Sequence, residues 1–155
     1  MPESAEDHPR VIAPTPILFA LGLGLGGLAQ WVSPWPLAPW HLHGFGVLAV
    51  LLGIAISLWA VYTMKGKDTS LDPNRPTTAL VQTGPFAYSR NPIYLAMTIS
   101  SLGVALYFNS IWLCLSLILT VGVVHYGVIL PEEHYLAQKF GKSYTRYRQH
   151  VRRWI

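Results

Sequence analysis

The chain has 155 residues, 52% hydrophobic and only 12% charged, with a formal net charge of +4. That length fits one domain, and the composition is too apolar for an ordinary soluble fold, so the expectation is a single integral-membrane domain, 1–155. The basic residues lie in segments bordering apolar tracts, which suits lipid headgroups and argues against a nucleic-acid-binding face; the lone Cys114 excludes an intramolecular disulfide.

Residues 1–13 are polar and read as disordered or interfacial. Their acidic start, with Glu3, Glu6 and Asp7, lacks the positive n-region of a cleaved signal peptide, so the first apolar run should persist as a helix. That run, residues 14–32, is near the minimum length for a span, which needs about 20 residues. Gly22, Gly24 and Gly27 satisfy a G-x-G-x-x-G spacing, but no strand precedes them, so the dinucleotide reading fails. Gly22 and Gly26 instead predict close approach of a neighbouring helix. Residues 33–43 hold three prolines with Trp35 and Trp40 and no formal charge, an interfacial turn with aromatic anchors. His41 and His43 lack a third ligand nearby, and no metal site is expected.

Residues 45–64 predict a second spanning helix, and the polar stretch 65–83, with turn formers Asp72, Pro73 and Asn74, predicts an extra-membrane loop. A third apolar helix over 93–108, a tight turn at Asn109 and Ser110, and a fourth helix over 111–130 complete an all-α architecture of about four transmembrane helices. The tail, 131–155, carries Leu136, Phe140, Tyr144 and Tyr147 at near-helical spacing, interrupted at Gly141. With its six basic residues it reads as a surface-lying amphipathic helix, broken once. Every lysine, and every arginine but Arg10, falls in the 65–90 loop or the tail. The positive-inside rule then makes both termini and that loop cytoplasmic and puts residues 84–94 and the tail on one face.

The stretch 84–94, Gly-Pro-Phe-Ala-Tyr-Ser-Arg-Asn-Pro-Ile-Tyr, launches the third helix. Asn91 reads as an N-cap whose side-chain oxygen accepts a free backbone N–H, and Pro92 as a first-turn residue needing no donor. Arg90 just outside that N-terminus would hold a carboxylate or phosphate, or snorkel at the membrane surface. Glu132 and Glu133 fall where the fourth helix should leave the membrane, at the dipole end that repels anions, so a cationic partner is expected: Arg90, its neighbours, or a bound cation.

Those two stretches, continued by His134-Tyr-Leu-Ala-Gln-Lys-Phe-Gly-Lys-Ser-Tyr-Thr-Arg-Tyr and by Val151-Arg-Arg-Trp, resemble the isoprenylcysteine carboxyl methyltransferase and phospholipid methyltransferase superfamily over about residues 77–154. The resemblance implies an integral-membrane enzyme that binds S-adenosylmethionine at the cytoplasmic face and methylates a hydrophobic or amphipathic acceptor at an amine, thiol or carboxylate, with a lipid or hydrophobic small molecule as partner. By motif, the cofactor contacts fall on Thr78, Ala79, Leu80, Val81, Phe86, Asn91, Pro92, Ile93, Tyr94, Glu132 and Glu133. Arg90 and His125 stand as the candidate catalytic residues, His125 by position as a general base, a role also open to His134. The chemistry agrees. The cofactor's amine, carboxylate and purine want a carboxylate, helix-terminal N–H groups and apolar walls together, and methyl transfer needs positioning and water exclusion rather than a protein nucleophile. Two departures stand out: Asn91 replaces a usual histidine, and Val128 stands where the prenylcysteine enzymes carry an arginine. An apolar residue cannot hold a carboxylate, so prenylcysteine is disfavoured as acceptor. Two further readings are a nicotinamide-dependent membrane reductase of the sterol-reductase type and a non-catalytic four-helix membrane protein.

Overall fold

The computed structural model describes residues 11–66 and 79–155, and within them the chain is all-helical. The helices are α1 (Thr15–Val32), α2 (His43–Lys65), α3 (Pro92–Tyr107), α4 (Ile111–Val124), α5 (Leu130–Phe140) and α6 (Lys142–His150), with a 3-10 turn at Gly84–Ala87 and a π-helical turn at His125–Ile129 between α4 and α5. Three stretches, Thr15–Val32, His43–Lys65 and Ile111–Phe140, are long and apolar enough to cross a membrane. At 1.5 Å per residue, α3 reaches about 24 Å against a hydrocarbon thickness of about 30 Å.

The exterior agrees with a lipid environment. Leu25, Leu58, Ile118 and Leu119 are exposed along the helices, while Trp31, Trp35 and Trp40 ring one end and Trp59, Tyr62 and Tyr88 the other. The interior is thin, so close backbone approach replaces bulky packing. Glycine permits it: a Cβ on Gly22 would strike the Thr120 side chain, and one on Gly26 would strike Ser116 Oγ and lie 3.0 Å from the Leu113 backbone. This places α1 on α4, which is the close neighbour that the glycine spacing predicts without naming. A second seam joins α2 to α3, where a Cβ on Gly46 would lie 2.5 Å from Tyr107 N and one on Gly103 2.7 Å from Gly46 O. A buried cluster of Phe19, Leu117, Val124, Val128 and Ile129 fills the middle, with Tyr94, Met97 and Trp154 against it.

At one end, the expected tight turn forms at Asn109, which adopts φ 48°, and Ser110 caps α4 by accepting from Leu113 N. Residues 33–42 dock on this turn: Leu37 N donates to Asn109 O, Ile111 N to Trp35 O, and the Asn109 side chain exchanges bonds with the Ala38 backbone. At the other end two expectations need correcting. The helix does not stop at residue 130, and the tail does not begin as a separate surface helix. Ile111–Phe140 is continuous through the π turn, and the break falls at Gly141, whose φ is 50°. Pro131 explains the turn. It lacks the N–H that would bond the Gly127 carbonyl in an α-helix, and its ring crowds that carbonyl. The carbonyl is taken instead by the N–H of Ile12, at 3.2 Å, and the Ile12 side chain lies against Gly127. Residues 11–14 are therefore held against this turn, whereas residues 1–10 lie outside the described residues.

Candidate functional site

Polar chemistry gathers where α3 starts and α5 passes it. The 3-10 turn at Gly84–Ala87 begins with Gly84 at φ 61°, a left-handed geometry that glycine adopts without strain. It delivers residues 88–91 as a bend against α5 and α6. Asn91 occupies the N-cap position of α3, as read from sequence, but its side chain makes no cap bond. Its Nδ2 donates instead to the Arg153 carbonyl at 3.1 Å, and its backbone N–H is received by Ser89 Oγ at 3.1 Å. The cap is replaced because residues 151–154 turn back from α6 and lie along this bend.

Arg90 does not snorkel. Only 9% of its side chain is exposed, and its Nη1 sits 2.9 Å from Glu133 Oε1 and donates to Tyr144 OH at 3.3 Å. Its Nε is buried with no hydrogen-bond partner. Glu133 is also held by Arg153, through Nε to Oε1 at 2.8 Å and Nη2 to Oε2 at 2.9 Å. The expected cationic partner of the carboxylates is thus arginine at Glu133, but the dipole argument behind that expectation fails: because α4 continues into α5, Glu132 and Glu133 sit in the middle of a helix rather than at its C-terminal end. Glu132 is held differently, accepting from Tyr94 OH at 2.8 Å.

These groups surround a cavity of about 80 Å³ lined by Ala79, Leu80, Val81, Phe86, Arg90, Asn91, Glu132, Glu133, Leu136, Tyr144 and Tyr147. Most of the residues singled out by sequence are therefore brought together. Tyr94 reaches the group through Glu132, whereas Pro92 and Ile93 start α3 without lining the cavity, and Thr78 lies outside the described residues. His125 does not line it either. It sits in the π turn with Nε2 3.5 Å from Arg153 Nη1, and His134 bonds Gln138 on the exposed face of α5. Val128 is fully buried in the core cluster, so its position offers no polar group to a ligand.

Sequence reasoning missed Leu136, Tyr144, Tyr147 and Arg153. The i, i+3 spacing of the two tyrosines within the charged helix α6 is the available signal, but spacing alone equally fits one stripe of a surface-lying amphipathic helix. Tyr147 OH in fact donates to the Phe86 carbonyl at 2.6 Å, tying α6 to the 3-10 turn. Burial, reinforced by the Glu133 charge, pushes the Tyr144 hydroxyl above the usual phenol range, and burial does the same to Tyr147 against the opposing pull of Arg90. The hydrogen bonds to Glu133 raise Arg153 above the ordinary guanidinium value, so it is fully charged. Among the described residues no three His, Cys, Asp or Glu side chains converge as a metal site would require.

Fold and site together define a membrane-spanning helical protein with an ion-paired, part-apolar cavity at one end of its bundle. The chain belongs to the phospholipid methyltransferase family, whose model matches residues 42–143. Among curated proteins it is similar to a nickel-cobalt-cadmium resistance protein of Alcaligenes xylosoxydans xylosoxydans, 30% identical over 80% of this chain and 52% of the relative. It is also similar to a cobalt-zinc-cadmium resistance protein of Cupriavidus metallidurans, 27% identical over 80% of this chain and 53% of that protein. An uncharacterized protein of Haemophilus influenzae matches over its whole length at 36% identity, covering 41% of this chain. The chain thus spans about half the length of the resistance proteins it matches.

Proposed function

We propose that this chain is an S-adenosylmethionine-dependent membrane methyltransferase that acts on a hydrophobic or amphipathic acceptor, with its cofactor cavity on the cytoplasmic face. The observation that carries the reading is the pairing, around one cavity, of a carboxylate held from outside the cluster, Glu132, with a buried guanidinium nitrogen lacking a partner, Arg90 Nε. An amino acid end group presents an ammonium and a carboxylate, and these two side chains supply one complement to each. Arg90 lines the cavity, and its buried Nε is a donor without a partner, a state that costs about 1–3 kcal/mol.

The remaining residues support the same reading. Phe86, Leu80, Val81 and Leu136 give the cavity the apolar wall that a purine or thioether needs. At about 80 Å³ the cavity is smaller than the roughly 300–1,000 Å³ of small-molecule sites, a size that suits the amino acid end of the cofactor rather than the whole. When bound, S-adenosylmethionine supplies a methyl group activated by its sulfonium. The chain's residues then have to bind, orient and exclude water; no side chain need become covalently attached. The apolar burial of Val128 supports an acceptor other than a prenylcysteine carboxylate. Family membership favours methyl transfer over the nicotinamide-dependent reductase. The relatives' names speak of metal resistance, but the described residues offer no metal-ligand cluster through which this chain would act directly.

Calorimetric titration of the detergent-purified protein with S-adenosylhomocysteine tests the reading, with NADPH as the parallel ligand. Saturable binding of the homocysteine product is expected, and Glu132→Gln should weaken it about tenfold, the usual weight of a charged hydrogen bond. Binding of NADPH alone would move the protein to the reductase class. Binding of neither would leave a membrane protein without this activity.

A further inference from the structure

Residues 151–154 do more than end α6. The Arg90 N–H donates to the Arg152 carbonyl at 3.0 Å, while Ser89 Oγ and Asn91 Nδ2 both donate to the Arg153 carbonyl, at 3.3 and 3.1 Å. Three bonds therefore fix this backbone on the 89–91 bend, and the Arg153 side chain is delivered from a held anchor. It takes both oxygens of Glu133, at 2.8 and 2.9 Å. Arg90 meets the same carboxylate at Nη1, 2.9 Å from Oε1.

That division of one carboxylate between two guanidiniums has a consequence. Arginine and carboxylate left to themselves close a two-point, fork-to-fork pair. Here Arg153 occupies the two-point position, and Arg90, which lines the cavity, meets Oε1 through Nη1 while its buried Nε has no hydrogen-bond partner. Glu133 faces both Arg90 and Arg153, whereas Glu132 is held by Tyr94. Building on the cofactor reading above, we infer that Arg153 is a positioning residue of the cavity, acting through Glu133 to hold Arg90 in the orientation that receives a carboxylate. It is not itself part of the cavity lining.

The test is a double-mutant cycle in the full chain, with S-adenosylhomocysteine affinity by calorimetry and melting temperature in the same detergent. Arg153→Ala and Glu133→Gln should each weaken binding about tenfold or more, as outer-shell partners of a site typically do. The double variant should be no weaker than the worse single, because the two act as one unit. Arg153→Lys, which keeps the cation but cannot take both oxygens, should restore the melting temperature without restoring affinity, a split that a purely structural role would not give. It also reads the same question if Arg153→Ala fails to fold. Binding within twofold of the parent in Arg153→Ala, additive losses in the double variant, or full recovery of affinity by lysine would each overturn the inference while leaving the cofactor reading standing. A parent protein that does not bind S-adenosylhomocysteine would overturn both.

Discussion

The hydroxyl of Tyr147 donates to the Phe86 carbonyl at 2.6 Å, and this bond, with Tyr144 against Arg90, holds α6 over the cavity. Tyr147→Phe should therefore cost about 1 kcal/mol of stability at neutral pH. The pH dependence follows from the raised folded-state value. A free tyrosine ionises near pH ~10, and burial keeps Tyr147 and Tyr144 neutral beyond that. Their contribution is fully present below the unfolded value and is lost as pH rises from there through the folded value, because the unfolded state gives up its proton first. Melting temperature measured against pH should fall in the alkaline range above about 10, and less so in Tyr147→Phe; an unchanged alkaline fall would remove Tyr147 from this role. Residue types at the site were legible where the motif named them, as for Arg90, Asn91 and Glu132. Their partners were not. Asn91 forgoes capping for a carbonyl contributed 62 positions later, and α6 turns its tyrosines toward the site rather than the lipid. Periodicity gives a helix a face but does not say what that face meets.

Helix positions show the same division at the next scale. Uncharged runs and the Asn109 turn placed α1 to α3 and the start of α4 within a residue or two, because lipid offers the backbone no hydrogen-bond partner and leaves little choice but helix. The continuity of α4 into α5 was not legible, since Pro131 ordinarily signals a break, and only the N–H of Ile12 arriving at the Gly127 carbonyl makes the π turn tolerable. Glycine spacing signals a close neighbour for α1 without saying that it is α4, and gives no sign of the α2–α3 seam, where Gly46 and Gly103 are 57 positions apart and meet only in three dimensions. The two kinds of glycine separate cleanly by substitution. Gly46→Ala brings a Cβ to 2.5–2.8 Å from backbone atoms of α3, which cannot rotate away, so it should cost about 1–3 kcal/mol. Gly24→Ala meets nothing within 4 Å and should be neutral or stabilising by up to about 1 kcal/mol. Thermal unfolding of the two variants beside the parent checks both signs, and equal effects would mean that the Gly46 contact is not the close seam described.

For the molecule as a whole, the question is which end faces which compartment. Residues 33–42 and the 109–110 turn close one end, and the cavity with α5, α6 and residues 151–154 forms the other. Among the described residues the first end has no lysine or arginine, while Lys65, Arg90, Lys139, Lys142, Arg146, Arg148, Arg152 and Arg153 crowd the second. On the positive-inside rule this bias predicts a cytoplasmic cavity, the orientation that the proposed cofactor reading requires. Single cysteines test this in a Cys114→Ser background. Pro39→Cys and Gln149→Cys both fall at exposed positions, one at each end. In intact cells a membrane-impermeant maleimide should label residue 39 and spare residue 149, and disrupting the membrane should make residue 149 reactive. The reverse pattern would turn the cavity outward and leave it without cytoplasmic cofactor. Labelling of both positions in intact cells would mean that the two ends do not lie across a bilayer.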